Sequence, residues 1–570
     1  MYRSSKYSKR RVFMKKRGIL FLVVVLLTCM TMSVFAGAQM ETKTGEGETY
    51  VIKMYSKNFT GLGSSTPVGK IIKEKFNIDF EFEKFTGDWQ EKASLWLAAG
   101  DYPEIVYIEQ NLDLLRKYIN AGVLIALDPL AEQYAPNFLS FYKEALPYMR
   151  LNAQDKKIYY WPTGSPEEKE MFQTPFEMVV RMDLLKALGY PKIPENEKEW
   201  LNFFIEAKKK VPTVDGRPTV GFSMPLAEPW AVALLPAMSR TGRYQYLGGG
   251  KMVMLDCDNN TVDFILKNEY SKEAMKFFNG LYRAGLFDKE SFTDKGAQTT
   301  EKFNTALILG SIYIKWLSEA SNPTLNESGK ADMQYIGLPF RLESMNENND
   351  ARYNRVMLVR NFDHYAITKK AKHPERIMEL INWICTDEGQ ALLGWGIEGI
   401  HYTMEGNKKV PTPEFYNGFN NDPDYLYKQG LGIFGFLTLS TKLDDEGQSA
   451  VVELDPTVRF DSYNDEVKEV YAKYGWENYL SPWDKYETKG IDVTEWGAAL
   501  TLNASSPEAK MMTKIADLHN DATIKLIMAK DDAEFDKIWQ DSVNELKALG
   551  GEQVIQLIRN QYAEIVAGLK

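Results

Sequence analysis

Tyr50-Val51-Ile52-Lys53-Met54-Tyr55, Val68-Gly69-Lys70-Ile71-Ile72-Lys73-Glu74-Lys75-Phe76 and Ile78-Asp79-Phe80-Glu81-Phe82 stand in succession near the start of this 570-residue chain. The first reads as a strand. The second spaces its apolar residues as one face of a helix, and the third alternates apolar and acidic residues as a half-buried strand does. Trp89 to Ala99 then predicts a second amphipathic helix, Gly100-Asp101-Tyr102-Pro103 turns the chain, and Glu104-Ile105-Val106-Tyr107-Ile108 predicts a third strand. A βαβαβ order of this kind argues for a parallel α/β lobe whose ligands sit at the carboxyl ends of its strands.

Working outward, helical segments follow at Leu112 to Ala121 and around Leu130 to Tyr134, and Lys157 to Pro162 resembles a short hairpin. Phe176 to Val180 predicts a strand, and Asp183 to Leu188 opens a helix that Gly189 ends. The pattern is then mostly helical to about Trp316. A strand is expected at Asp363 to Thr368, a helix at Pro374 to Cys385, and helices with long loops over the last 190 residues. No period of 20 to 50 residues repeats.

The N-terminus carries eight Lys and Arg between Arg3 and Arg17 with no acid, then the apolar run Ile19 to Leu27 and small residues at Ala36, Gly37 and Ala38. That order is a secretory signal. Its apolar core is shorter than the roughly 20 residues a bilayer-spanning helix needs. The expectation is cleavage after Ala36 or Ala38 and release to the periplasm or exterior. A competing reading makes Cys29, after Leu26-Leu27-Thr28, a lipid-attachment site, and Met14 is an alternative start.

Apolar content of 44% and charged content of 26% fit a globular protein rather than a disordered or membrane chain. Loss of the eight signal charges takes the net charge from −10 to −18, so a nucleic-acid partner is excluded on electrostatic grounds. Cys257 and Cys385 remain after the signal, and whether they pair cannot be read from their spacing. His364, His373, His401 and His519 are isolated from one another, which argues against a zinc site. Asp256 to Asp263 has several acids of a calcium loop but lacks the glycine and distal glutamate of an EF-hand, and a hairpin turn is expected there. No serine-hydrolase elbow, metalloprotease helix or Walker loop occurs. A glycoside hydrolase working with two carboxylates is the enzyme alternative, but among 78 acids some pair always qualifies, so no catalytic residue, metal or cofactor is assigned.

Four segments resemble the family 1 extracellular solute-binding proteins of ABC importers, in particular long members similar to maltose-binding protein. They are Leu97 to Val106; Phe176 to Leu188, followed by Pro194 and Trp200; Phe303 to Trp316; and Gly394 to Met404, "GWGIEGIHYTM", after Asp387-Glu388-Gly389. The third departs from the commoner pattern by placing Leu and Ile where Gly-Lys-Ala-Ala is usual. Together they span roughly residues 50 to 410. The resemblance implies an α/β, two-lobed periplasmic-binding-protein-like fold with discontinuous lobes, hinge crossovers and a ligand cleft between them. The expected division is signal peptide 1–38, polar linker 39–48, first lobe 49–165 and 341–385, and second lobe 166–340 and 386–570. It further implies a monomer that captures a carbohydrate, most plausibly an oligosaccharide or modified sugar, and delivers it to ABC permease transmembrane subunits. A peptide or other polar nutrient in the same cleft is the alternative cargo.

A sugar offers C–H faces to aromatic rings and hydroxyls to planar polar groups, so its site needs both. Tyr107 and Glu109 stand at the carboxyl end of the third strand, where a carboxylate accepts hydroxyls. Glu228-Pro229-Trp230 is similar to the family's Glu-Pro-aromatic element, which makes Trp230 a stacking candidate, and the third matching segment nominates Trp316. Trp395, Glu398 and Tyr402 share a segment in which Gly396 and Gly399 permit turns; the competing reading is a turn that stabilises the second lobe. Tyr159, Tyr160 and Trp161 cluster near the first crossover, with Trp161 taken as the candidate.

Overall fold

The computed structural model describes residues 47–109, 111–163, 177–248, 251–312, 317–318, 320–356, 363–435, 437, 446–500, 502 and 506–569. The signal segment, Met14, Cys29 and Trp316 lie outside these residues.

The opening pattern folds as its alternation demands. Tyr50–Ser56 pairs in parallel with Ile78–Lys84, joined by the helix Pro67–Phe76. Thr66 starts that helix by accepting the Gly69 N–H at 3.1 Å, and Asn77 ends it in the left-handed conformation. Gly69 is dictated by a close approach, since a Cβ there would lie 1.9 Å from the Gly63 carbonyl oxygen. The strand Ile105–Glu109 departs from the expected parallel arrangement. It pairs antiparallel with Asp363–Ile367, a segment that arrives from far along the chain and also pairs antiparallel with Trp161–Pro162. Periodicity reports a strand's exposed and buried faces, but neither its partner nor its direction.

A second sheet runs in the order Tyr335–Pro339, Glu177–Arg181, Ile308–Ile312, Val220–Phe222. The helix Glu197–Lys210 lies on it, with the Trp200 indole N–H given to the Pro339 carbonyl at 3.1 Å. Phe204 presses on Gly310, where an added Cβ would sit 2.3 Å from its ring. Three long C-terminal helices, Pro507–Met528, Asp532–Ala548 and Gly551–Leu569, complete this half.

Two hydrophobic cores result: the first on the sheets of Tyr50–Ser56 with Ile78–Lys84 and of Ile105–Glu109 with Asp363–Ile367 and Trp161–Pro162, the second on the four-stranded sheet. The chain leaves the first core after Pro162, enters the second at Glu177, and returns at Asp363. It crosses a third time along the helix Pro456–Ser462, since Val458 belongs to the first core and Tyr463 to the second. Core membership differs from the sequence division at two places. Leu342 and Met345 pack in the second core, whereas 341–385 was assigned to the first lobe. Trp395, Tyr402, Phe415, Phe434 and Val458 pack in the first core, whereas 386–570 was assigned to the second lobe. Phe434 illustrates the physical reason: its ring meets Phe80 and Phe82 edge-on at 5.9 and 5.7 Å, a long-range choice that helical periodicity cannot encode.

Cys257 flanks the second core and Cys385 the first, and the two do not form a disulfide with each other. Burial pushes the Cys385 thiol well above its ordinary range. Reductant is therefore expected to leave the melting temperature of the mature chain unchanged; a drop on adding dithiothreitol would reveal a bridge.

Candidate functional site

The strand that carries Tyr107 and Glu109 builds one wall of the site. Cross-strand register sets Tyr107 opposite Tyr365, and Tyr365 opposite Trp161. The three rings form a ladder across adjacent strands, with Tyr107 and Tyr365 stacked at 4.9 Å and Tyr365 and Trp161 at 6.2 Å. Trp89 closes the outer side of Tyr107 edge-on at 4.9 Å, and Phe85 meets Trp89 in the same way. Trp161 is fully buried and forms the base of this ladder, while Tyr365 is only half-buried.

At the carboxyl end of the same strand, Glu109 and Asp363 face each other in register. The Tyr107 hydroxyl donates to Asp363 at 2.6 Å and lies 3.3 Å from Glu109. Lys57 donates to Glu109 at 2.6 Å. Burial raises the Asp363 carboxyl, with the Tyr107 hydrogen bond and Lys57 opposing that shift. Burial and the two acids push the Tyr107 phenol far above its ordinary value, so it remains a donor at any working pH. The chemistry offered is a set of hydroxyl acceptors beside aromatic faces, one of the acids charge-paired.

The helix Leu112–Asn120 begins just past Glu109, and Asp113 and Arg116 on it are the charged neighbours of Lys251 from the other core. Burial holds the Lys251 ammonium below its ordinary range. Elsewhere the halves are joined by the Tyr148 hydroxyl, which donates to Glu495 at 2.8 Å, and by Asn326, whose side-chain amide donates to the Asn420 carbonyl at 3.3 Å.

On the second half, Pro229 starts the helix Pro229–Leu234, whose Ala231 to Leu234 are buried. Trp230 faces outward instead, 38% exposed, and is the only aromatic among the exposed large hydrophobic side chains of the described residues.

The remaining candidates form a separate cluster. Trp395 is 1% exposed and donates its indole N–H to the Ser449 carbonyl at 2.8 Å. Tyr402 is buried against it at 6.0 Å, and Lys409 covers the Trp395 ring. His401 accepts the Ile397 N–H on Nδ1 at 2.8 Å, and with Gly396 and Gly399 in left-handed conformation this fixes the turn on which Glu398 stands exposed. The structure thus brings Tyr107, Glu109 and Trp161 together, while Trp395 and Tyr402 pack on one another in the same core and Glu398 stands exposed on the turn beside them. Sequence reasoning missed Asp363, Tyr365 and Lys57. The signal was present in the alternation of Asp363 and Tyr365, which needed only the register with Glu109 and Tyr107 to become legible.

Two halves joined by several crossings, with polar and aromatic groups where they meet, define a two-lobed ligand-binding architecture. The chain belongs to the bacterial extracellular solute-binding protein family, whose sequence profile matches residues 65–391. It is 24% identical over 343 residues to the fructooligosaccharide ABC transporter substrate-binding protein FusA of Streptococcus pneumoniae serotype 4, a match covering 58% of this chain and 59% of that relative. The fold is similar to that of the alginate-binding protein AlgQ2 without calcium ion, with TM-score 0.61, 19% identity, and 92% of this chain and 99% of that one covered. It is equally similar to Streptococcus pneumoniae FusA in complex with kestose and to a FusA EF-hand mutant in complex with fructo-nystose, each with TM-score 0.59, 17% identity, and 91% of this chain and 100% of the other covered. The family and these relatives are binding proteins rather than enzymes. Among the described residues no helix is long and apolar enough to cross a membrane.

Proposed function

We propose that this protein is the substrate-binding component of an ABC importer that captures an oligosaccharide outside the membrane and hands it, unaltered, to permease subunits. The observation that carries this reading is the Tyr107–Tyr365–Trp161 ladder ending in Glu109 and Asp363 at the junction of the two cores. Tyr107, Glu109, Asp363 and Tyr365 supply hydroxyl acceptors and an aromatic face from one lobe, Trp161 supports them from below, and Trp230 supplies a stacking ring from the other. The lobes follow the cores, 50–162 with 363–458 and 177–356 with 463–569. Trp395 and Tyr402 act by holding the Glu398 turn. The names of the relatives favour a saccharide over a peptide as cargo. Closure on the ligand shifts the open-to-closed population by no more than the affinity difference between the two states. Secretion follows the N-terminal signal, with a lipid anchor at Cys29 as the alternative to free diffusion; the protein acts as a monomer.

Calcium and an EF-hand figure in the descriptions of AlgQ2 and FusA. Among the described residues, the acids do not suit such an ion. In the hairpin Val253–Asp256 and Thr261–Phe264, Asp256 is taken by Arg243 at 2.6 Å and by Asn259 at 2.8 Å. Among the described residues the one acidic group with metal-ligand spacing, Asp288, Glu290 and Asp294, is filled by a lysine. We therefore assign no calcium requirement.

A thermal-shift screen of residues 39–570 against fructo-oligosaccharides, other glycans and peptides tests the cargo. A saturating saccharide, at about 100 times its dissociation constant, stabilises by about 2.7 kcal/mol if it binds only the folded state. Stabilisation by peptides alone would overturn the carbohydrate reading and keep the importer.

A further inference from the structure

The segment Ser223 to Glu228, which leads from the strand Val220–Phe222 to the Trp230 helix, is sewn to the loop 288–294. Met224 N–H donates to the Ser291 hydroxyl at 3.1 Å, Leu226 N–H to the Ser291 carbonyl at 2.8 Å, and Ala227 N–H to the Asp294 carbonyl at 3.1 Å. The Ser223 hydroxyl donates to Asp288 at 3.0 Å. The loop itself bends three acids toward one point, where their ligand atoms lie within 4.8 Å of one another. Such a cluster repels itself unless a cation neutralises it. Here the cation belongs to the chain. The Lys302 ammonium lies 2.7 Å from Asp288, 2.7 Å from Glu290 and 2.6 Å from Asp294. An ammonium has three N–H donors and meets three carboxylates. Its side chain is 14% exposed, so the ion group is only weakly screened by solvent.

We propose that Lys302 is a tethered cation doing the work a divalent metal would do in this loop, and that it is thereby a positioning residue for Trp230. Burial alone would lower the Lys302 ammonium, but its hydrogen bonds to Asp288, Asp294 and Glu290 outweigh burial and hold it above the ordinary lysine range. The helix Gly296–Asn304 delivers the lysine rigidly from the carboxyl side of the loop, and Gly296 N–H points back to Glu228 at 3.5 Å, so brace and stacking segment form one unit. A lysine cannot dissociate or be chelated. The site consequently holds its geometry at any external calcium concentration, which suits a protein exposed to the medium. Only the link to Trp230 rests on the reading of that residue as a ligand contact; the brace itself does not.

Melting of the purified chain in EDTA and in millimolar calcium chloride tests the proposal without any saccharide. Wild type is expected to melt identically in both. Lys302→Met leaves three uncompensated acids and is expected to lower the melting temperature in EDTA by about 5 to 15 °C, with calcium recovering part of the loss and Lys302→Arg most of it. A wild type that needs calcium, or a K302M protein that melts as wild type or gains nothing from calcium, would overturn the proposal. Should K302M fail to fold, Asp294→Asn removes one charge while keeping the shape. Amide exchange over 222–230 is then expected to quicken in D294N with the first lobe unchanged, and unaltered exchange there would count against the brace.

Discussion

Replacing Trp230 with Ala is expected to weaken oligosaccharide binding about 10- to 100-fold while lowering the melting temperature of the unliganded chain by only about 2 to 4 °C. The two halves of this expectation come from different parts of the structure. The helix Pro229–Leu234 is anchored chiefly by the buried residues Ala231 to Leu234 and by the Ser223 to Glu228 segment that leads into it. Trp230 is 38% exposed, so truncation forfeits the folding energy of the buried part of the indole, about 2 to 4 kcal/mol, while the exposed part is what a ligand can use. A sugar stacked on the indole would bury that remaining apolar area and gain the edge and face electrostatics of an aromatic contact. Calorimetric titration of W230A alongside W230F separates the ring from mere bulk: Phe should retain an intermediate affinity. Equal affinity in all three proteins would place the aromatic contact elsewhere, with Tyr365 the next residue to test.

The second large effect concerns acid stability. His519 lies wholly buried on the long helix Pro507–Met528, beside the Ala233 backbone. Burial lowers it from the ordinary 6.5 to about 4, the Ala233 backbone opposing the shift only in part. The unfolded chain therefore takes up a proton below pH 6.5 that the folded chain refuses until about pH 4. Stability supplied by the neutral ring is complete above pH 6.5, drains away as the pH falls through this window, and is exhausted near pH 4. The loss amounts to about 3 kcal/mol. Urea unfolding at pH 7.5 and pH 4.5 should show it, and His519→Leu should reduce the difference between the two pH values by about 2 to 3 kcal/mol. An identical pH dependence in both proteins would show that the histidine is already protonated or solvated in the fold. The residue matters beyond stability, because its helix packs on Pro229–Leu234 and an acid-loosened contact would release the segment that presents Trp230.

Local order was legible in the sequence and long-range pairing was not. Alternation and helical spacing in Tyr50 to Phe82 located the first strand, helix and strand to within two residues. The direction of Ile105–Glu109 was misjudged because its partner, Asp363–Ile367, lies across an entire lobe in sequence. Tyr107 and Glu109 were identifiable from their place at a strand's end, yet Asp363 and Tyr365, which complete the group, showed only the alternation of a strand, and the register that joins them to Glu109 and Tyr107 is long-range. Trp395 shows the converse. A tryptophan among glycines reads equally as a cleft residue or as a packed one, and only the Ser449 carbonyl accepting its N–H reveals the packing. The Lys302 brace was invisible because one lysine, on a different element, had to be brought to three acids whose own spacing suggests nothing.

Capture without chemistry is the central claim, and one titration tests it most directly. Kestose and a panel of other oligosaccharides would each be titrated calorimetrically into the mature chain, and the ligand recovered from the cell would be examined by mass spectrometry. Saturation at one ligand per chain, with the ligand returned intact, is the expected result. Conversion of a glycan by substoichiometric protein, or the absence of binding to every saccharide offered, would contradict it.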